Sequence, residues 1–132
     1  SPHFANVTAS SLYQSKAFGV TDQPDFSNAV VKVDTDLAPL ALLDFCQSLE
    51  SAAKRTRLRH WGERSLDVDV LLYGDDTINN ARLVVPHEGL FARNFVLIPM
   101  LELDPTLMVN GQKLADLPTS QQWQGLEKLT GV

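Results

Sequence analysis

Ser65-Leu66-Asp67-Val68-Asp69-Val70-Leu71-Leu72-Tyr73-Gly74 alternates apolar and acidic side chains. At a period of two, Leu66, Val68, Val70 and Leu72 share one face of a strand, and Asp67 and Asp69 share the other. The apolar face belongs to a core. Two carboxylates on one strand face repel unless a positive charge lies between them, and a divalent cation with oxygen ligands is the usual remedy. Directly upstream, Lys54, Arg55, Arg57, Arg59, His60 and Arg64 concentrate positive charge suited to a polyphosphate. Metal and phosphate readings converge on one ligand. Alone, an acidic pair is more often a solvated sheet face, the arginines a solvated loop and His87 a turn residue after Pro86. Their joint occurrence, with Arg93 one element further on, favours the ligand.

Working outward, the 132 residues read as a single domain with no linker, large enough to bury a core. A hydrophobic fraction of 44% with 20% charged residues is that of an ordinary soluble protein, and no apolar run reaches the length of a membrane span. The net charge of −5 argues against a general nucleic-acid surface, yet five of the 11 Lys and Arg residues fall between Lys54 and Arg64. Positive charge is local, and so is its target. One cysteine, Cys46, cannot form an internal disulfide and reads as a small buried hydrophobe, which points to a reducing cytoplasm.

Val7 to Ser15 reads as a strand, followed by a loop around Gly19, Asp22 and Pro24. Asn28 to Asp34 is a second β-branched run, and the two suggest antiparallel neighbours. Pro39 suits a first helical turn, and Leu42, Cys46, Leu49 and Ala53 recur at helical spacing, so a helix is expected from about Pro39 to Ala53. The basic loop and the strand of Asp67 and Asp69 follow, closed by a turn at Gly74-Asp75-Asp76. Ile78 and Arg82 to Val85 are short extended pieces. Asn94 is a candidate cap for a helix over Phe95 to Leu103 that stops at Asp104-Pro105, with Pro99 near its first turn or at a kink. Leu114, Leu117, Trp123, Leu126 and Leu129 suggest a peripheral helix at the end. Together these elements indicate an α+β sheet covered mainly on one face.

Phe26 and Asn28, two apart at the start of a strand, place a flat apolar surface beside an amide that both donates and accepts. That pair suits a planar heterocycle, and Phe95 could supply a second ring face. The plainer reading is a core phenylalanine and a turn asparagine.

With these residues assembled, the stretch from Trp61 to Gly74 resembles the signature of the 6-hydroxymethyl-7,8-dihydropterin pyrophosphokinases, enzymes of the folate pathway. Asp22-Gln23-Pro24-Asp25-Phe26-Ser27-Asn28, Leu49-Glu50, Arg55-Thr56-Arg57, Leu83-Val84-Val85-Pro86-His87 and Arg93 to Met100 match in the same order. The similarity covers nearly the whole chain.

The resemblance implies a ferredoxin-like α+β fold, with helices packed on an antiparallel sheet. It also implies transfer of pyrophosphate from ATP to 6-hydroxymethyl-7,8-dihydropterin, releasing AMP. A cytoplasmic monomer with neither nucleic acid nor membrane as partner is expected. By position, Asp67 and Asp69 would hold two Mg²⁺ ions, and Arg55, Arg57, Arg64, His87 and Arg93 would contact phosphates or orient the loop. Phe26 and Phe95 would sandwich the pterin while Asn28 bonds its pyrimidine edge. Glu50 and Trp61 would help to build the nucleotide pocket and a mobile loop, and the segment from Arg55 to Gly62 is the expected lid. Family members usually begin with a strand carrying Gly-Ser-Asn and then a helix, and this sequence starts after both. A fragment, a second chain filling the gap and an adapted fold are all open readings, and a catalytically silent or truncated pterin- or nucleotide-binding relative is the alternative to the enzyme. Glu63 also stands where the family usually has proline.

Overall fold

Two runs of β-branched and polar residues near the start of the chain fold back on each other. The structure, a computed structural model, describes residues 2–15, 26–57 and 66–129. The run expected as one strand from Val7 to Ser15 is two, β1 (Phe4–Ala9) and β2 (Leu12–Ser15), and its partner run is likewise β3 (Phe26–Asn28) and β4 (Val31–Thr35). β1 pairs antiparallel with β4, and β2 with β3, as neighbours should. The division has a local cause. At the break, Ser10 N–H donates to Val30 O at 2.8 Å, while Val30 N–H is taken by the Ser10 hydroxyl at 2.9 Å. A side chain has replaced a ladder partner, and the sheet ends there.

The helix α1 (Pro39–Arg57) begins at the expected proline but continues past Ala53 through Lys54, Arg55, Thr56 and Arg57. The first residues of the expected basic loop are therefore its last turn. Lysine and arginine are good helix formers, and cations near a helix C-terminus are favoured by the backbone dipole.

Residues 66–73 depart further from expectation, because they form no strand: no ladder partner runs beside them among the described residues. The period of two survives only from Asp67 to Val70, with both aspartates exposed, Val68 half-buried and Val70 buried. Leu66, expected in the core, is 47% exposed. Gly74 turns the chain with φ of 56°. The short strands β5 (Ile78–Asn79) and β6 (Val84–Val85) then form a hairpin.

The second helix, α2 (Asn94–Leu103), is capped by the backbone of Arg93, so Asn94 is its first residue and not the expected cap. The Asn94 amide nitrogen instead donates to Gln122 O and Gln124 O, at 2.7 and 3.2 Å. Pro99 lies within α2 and is fully buried. The strands β7 (Met108–Val109) and β8 (Gln112–Lys113) are joined by Asn110 and Gly111, both at positive φ, as a two-residue hairpin with matching twist requires. Two 3₁₀ turns follow, Leu114–Asp116 and Pro118–Gln121.

The expected terminal helix does not form among the described residues. Leu126 and Leu129 belong to β9 (Leu126–Leu129), which pairs antiparallel with β2 and completes a three-stranded sheet of order β3-β2-β9. The open edge of β2 outweighs a weak helical spacing.

The chain is thus a mixed α/β protein with antiparallel sheets and two α-helices among the described residues, dividing into two compact units. Ser1–Thr35 with Gly89–Val132 form the first, where Tyr13, Ile98 and Leu126 pack together with Phe95 against them. Asp36–Glu88 form the second, cored by Cys46, Val70, Leu83 and Val85. Cys46 is the small buried hydrophobe expected of it. No helix is long and apolar enough to cross a membrane among the described residues.

Candidate functional site

In the second unit, helical spacing puts Leu42, Leu43 and Cys46 of α1 against Val68 and Val70. This contact fixes which way the neighbouring aspartates face. With the valines turned to the core, Asp67 and Asp69 stand exposed. Their backbone is tied at two points. Val68 N–H donates to Glu50 Oε2 at 2.7 Å, and Leu71 O accepts from His87 N–H at 2.9 Å.

Beside Asp69, though not lined by Asp67, lies a cleft of about 260 Å³, with Asp69, Asn80, Arg82, His87 and Glu88 among its polar lining and Leu43, Val68 and Val70 among its apolar lining. The structure thus brings Asp69 and His87, both expected in the site, to one cavity. Arg82 and Asn80 were missed in the sequence. Asn80 Oδ1 accepts from the N–H groups of Arg82 and Leu83, each at 2.9 Å, and shapes the β5–β6 turn. An asparagine two residues before an arginine in a turn was the available signal. Arg82 Nη2 donates to Asp44 Oδ1 at 2.6 Å in an exposed ion pair.

As ligands, Asp67 and Asp69 offer hard anionic oxygens. No group of three or more His, Cys, Asp or Glu side chains is placed to hold a metal among the described residues. A cation here would keep positions open for water and phosphate, which suits magnesium. The neighbouring thiol is not a competing ligand. Burial, followed by the charges of Glu50 and Asp69, pushes Cys46 above the usual thiol range and keeps it protonated.

The first unit carries the residues expected around a heterocycle. Asn28 of β3 is half-buried, and its Nδ2 donates to the buried Ser15 hydroxyl at 2.8 Å. Ser15, unnoticed in the sequence, therefore helps to hold that amide. Phe26 lies in β3. Phe95 is half-buried, and the exposed Arg93 places its guanidinium carbon 5.9 Å from the Phe95 ring centroid. Arg55 and Arg57 lie in the last turn of α1. Trp61 and the rest of the expected lid beyond Arg57 lie outside the described residues, as do Glu63 and Arg64.

A family model described as 7,8-dihydro-6-hydroxymethylpterin-pyrophosphokinase matches residues 2–105. The 2-amino-4-hydroxy-6-hydroxymethyldihydropteridine pyrophosphokinase of Haemophilus influenzae is 49% identical over 112 residues, covering 84% of this chain and 70% of the relative. The enzyme of that name from Pseudomonas aeruginosa is 43% identical over 132 residues, covering 99% and 82% of the two chains. That of Methylorubrum extorquens is 38% identical over 128 residues, covering 97% and 81%. The chain belongs to the 7,8-dihydro-6-hydroxymethylpterin-pyrophosphokinase family.

Proposed function

We propose that this chain transfers the terminal pyrophosphoryl group of ATP to the hydroxymethyl oxygen of 6-hydroxymethyl-7,8-dihydropterin in folate biosynthesis. The observation that carries this reading is the family match across residues 2–105, a span that includes the exposed pair Asp67 and Asp69 and the cleft that Asp69 lines. In the reaction the hydroxyl oxygen bonds to the β-phosphorus of ATP, the bond from that phosphorus to the α-phosphate oxygen breaks, AMP leaves and the hydroxyl proton is released.

A neutral primary hydroxyl is not cheaply ionised, so the protein's task is alignment and charge neutralisation. Asp67 and Asp69 would hold two Mg²⁺ ions. Bound with ATP, the metal supplies charge neutralisation to the phosphate oxygens. His87 lines the cleft beside Asp69 and contacts the nucleotide phosphates. Arg93 has the same role, and Arg55, Arg57 and Arg64 supply further positive charge to the triphosphate. Phe26 and Phe95 stack on the pterin, and the Asn28 amide reads its pyrimidine edge. Trp61 completes the nucleotide side. The same reading gives residues 1–132 as one catalytic domain with the ferredoxin-like sheet, acting as a cytoplasmic monomer.

Incubation with ATP, Mg²⁺ and the hydroxymethyl dihydropterin should yield AMP and the pterin diphosphate, and Asp67→Ala or Asp69→Ala should abolish both. ADP as the nucleotide product would refute the assignment.

A further inference from the structure

We propose that Glu50 is a positioning residue for the acidic pair, acting through the Val68 amide and not through contact with the nucleotide. The inference rests on the reading of Asp67 and Asp69 as metal-binding carboxylates. Leu42, Cys46 and Glu50 follow one another at four-residue intervals on α1, so Glu50 continues the side that packs on the core, where Cys46 is buried. A half-buried carboxylate at that position is costly unless it finds a donor. Residues 66–73 have the opposite need, since they join no ladder among the described residues and their amides lack a strand's ordinary acceptors. The bond from Val68 N–H to Glu50 Oε2, at 2.7 Å, meets both needs and has the shortness of a charge-assisted hydrogen bond.

Its place in the chain gives the bond functional weight. Val68 lies between Asp67 and Asp69, its side chain against the core of the second unit and its amide on Glu50. The backbone from which both carboxylates project is held on two sides. Glu50 itself is not among the described residues that line the cleft beside Asp69. A carboxylate that anchors this backbone therefore sets the origin of the metal-binding side chains, where a misplacement of about 1 Å can cost about a hundredfold in rate.

The test compares Glu50→Gln, which keeps an oxygen for the Val68 N–H, with Glu50→Ala, which keeps none. In the metal-free, ligand-free protein, amide exchange at Val68 should be slow in the wild type, within about threefold of it in Glu50→Gln, and about tenfold or more faster in Glu50→Ala. In turnover, Glu50→Ala should lower kcat by about tenfold or more with little change in the KM for ATP, and Glu50→Gln should restore most of kcat. Unchanged Val68 protection in Glu50→Ala would overturn the proposal. So would equal rises in the KM for ATP in both variants with Val68 still protected, because Glu50 would then be touching nucleotide. Should Glu50→Ala not fold, rapid Val68 exchange in the wild type or loss of kcat in Glu50→Gln would overturn it equally. A wild type that forms no AMP would sink the functional reading, whereas the exchange pattern would still report on the Glu50 anchor.

Discussion

The hydroxyl of Tyr13 on β2 donates a hydrogen bond to Glu102 Oε1 in the last turn of α2, and Ser11 gives the other carboxylate oxygen both its N–H and its hydroxyl at 2.9 Å. One glutamate thereby ties a helix to the strand beside Asn28, since Tyr13 and Asn28 are cross-strand partners. Tyr13 is almost fully buried and Leu126 of β9 packs in the same cluster.

This arrangement sets a pH window. Burial would raise the Glu102 carboxyl, but hydrogen bonds from Tyr13 and Ser11, with the charge of Lys128, outweigh it and hold the group below the usual carboxylate range. A lowered folded pKa stabilises above the unfolded value of about 4.3, and that stability is lost as pH falls through the folded value. For Tyr13, burial first and then Glu102 push the phenol well above its ordinary value. Its contribution is complete below about pH 10 and is lost as pH rises further. Chemical denaturation across pH should show both flanks, and Glu102→Ala, which should cost about 1–3 kcal/mol at neutral pH, should flatten the acid one.

Cys46 should be silent chemically. Its buried, protonated thiol predicts that iodoacetamide leaves the folded protein unlabelled and active, while the denatured chain reacts. Mass spectrometry of treated samples checks this. Rapid labelling of the native protein with loss of turnover would contradict it.

Gly89 tests the role assigned to Arg93 without altering it. A Cβ at Gly89 would lie 2.7 Å from both Cζ and Nε of Arg93, so Gly89→Ala must displace the guanidinium. The obstacle is the far end of a flexible side chain, and the melting temperature should move little. If Arg93 contacts phosphate, the KM for ATP should rise several-fold, and an unchanged KM would remove Arg93 from the site.

Gly111 and Leu97 separate backbone from packing. A Cβ at Gly111 meets no atom within 4 Å, so Gly111→Ala is opposed only by its φ of 76° and should cost about 1–2 kcal/mol. Leu97 is wholly inaccessible, and Leu97→Ala should cost about 2–5 kcal/mol. Urea unfolding should place the two variants in that order.

What could be read from the sequence was what depends on neighbours along the chain. Pro39 started α1 where expected, the first two β-branched runs paired antiparallel, and the alternation from Asp67 to Val70 sorted aspartates from valines correctly. Asn110-Gly111 carried a plain hairpin signal that a weak helical spacing obscured. What could not be read depended on distant partners. Leu126 and Leu129 are strand residues because β2 has an edge to fill, and Leu66 is exposed because no ladder covers its segment. Asp69 and His87, singled out for their charge and company, line one cleft, whereas the place of Arg82 on that cleft and of Ser15 beside Asn28 comes from tertiary contacts that no local pattern announces.

The pairing of Leu12 with Leu129 has a bearing on how the molecule is made. The second unit is continuous from Asp36 to Glu88, while the first gathers Ser1–Thr35 and Gly89–Val132. Contacts of such long sequence separation form late and slow folding, and a ribosome delivers the N-terminal part first. On a nascent chain, Asp36–Glu88 can collapse with its aspartate pair in place while β2 still waits for the strand that will occupy its open edge.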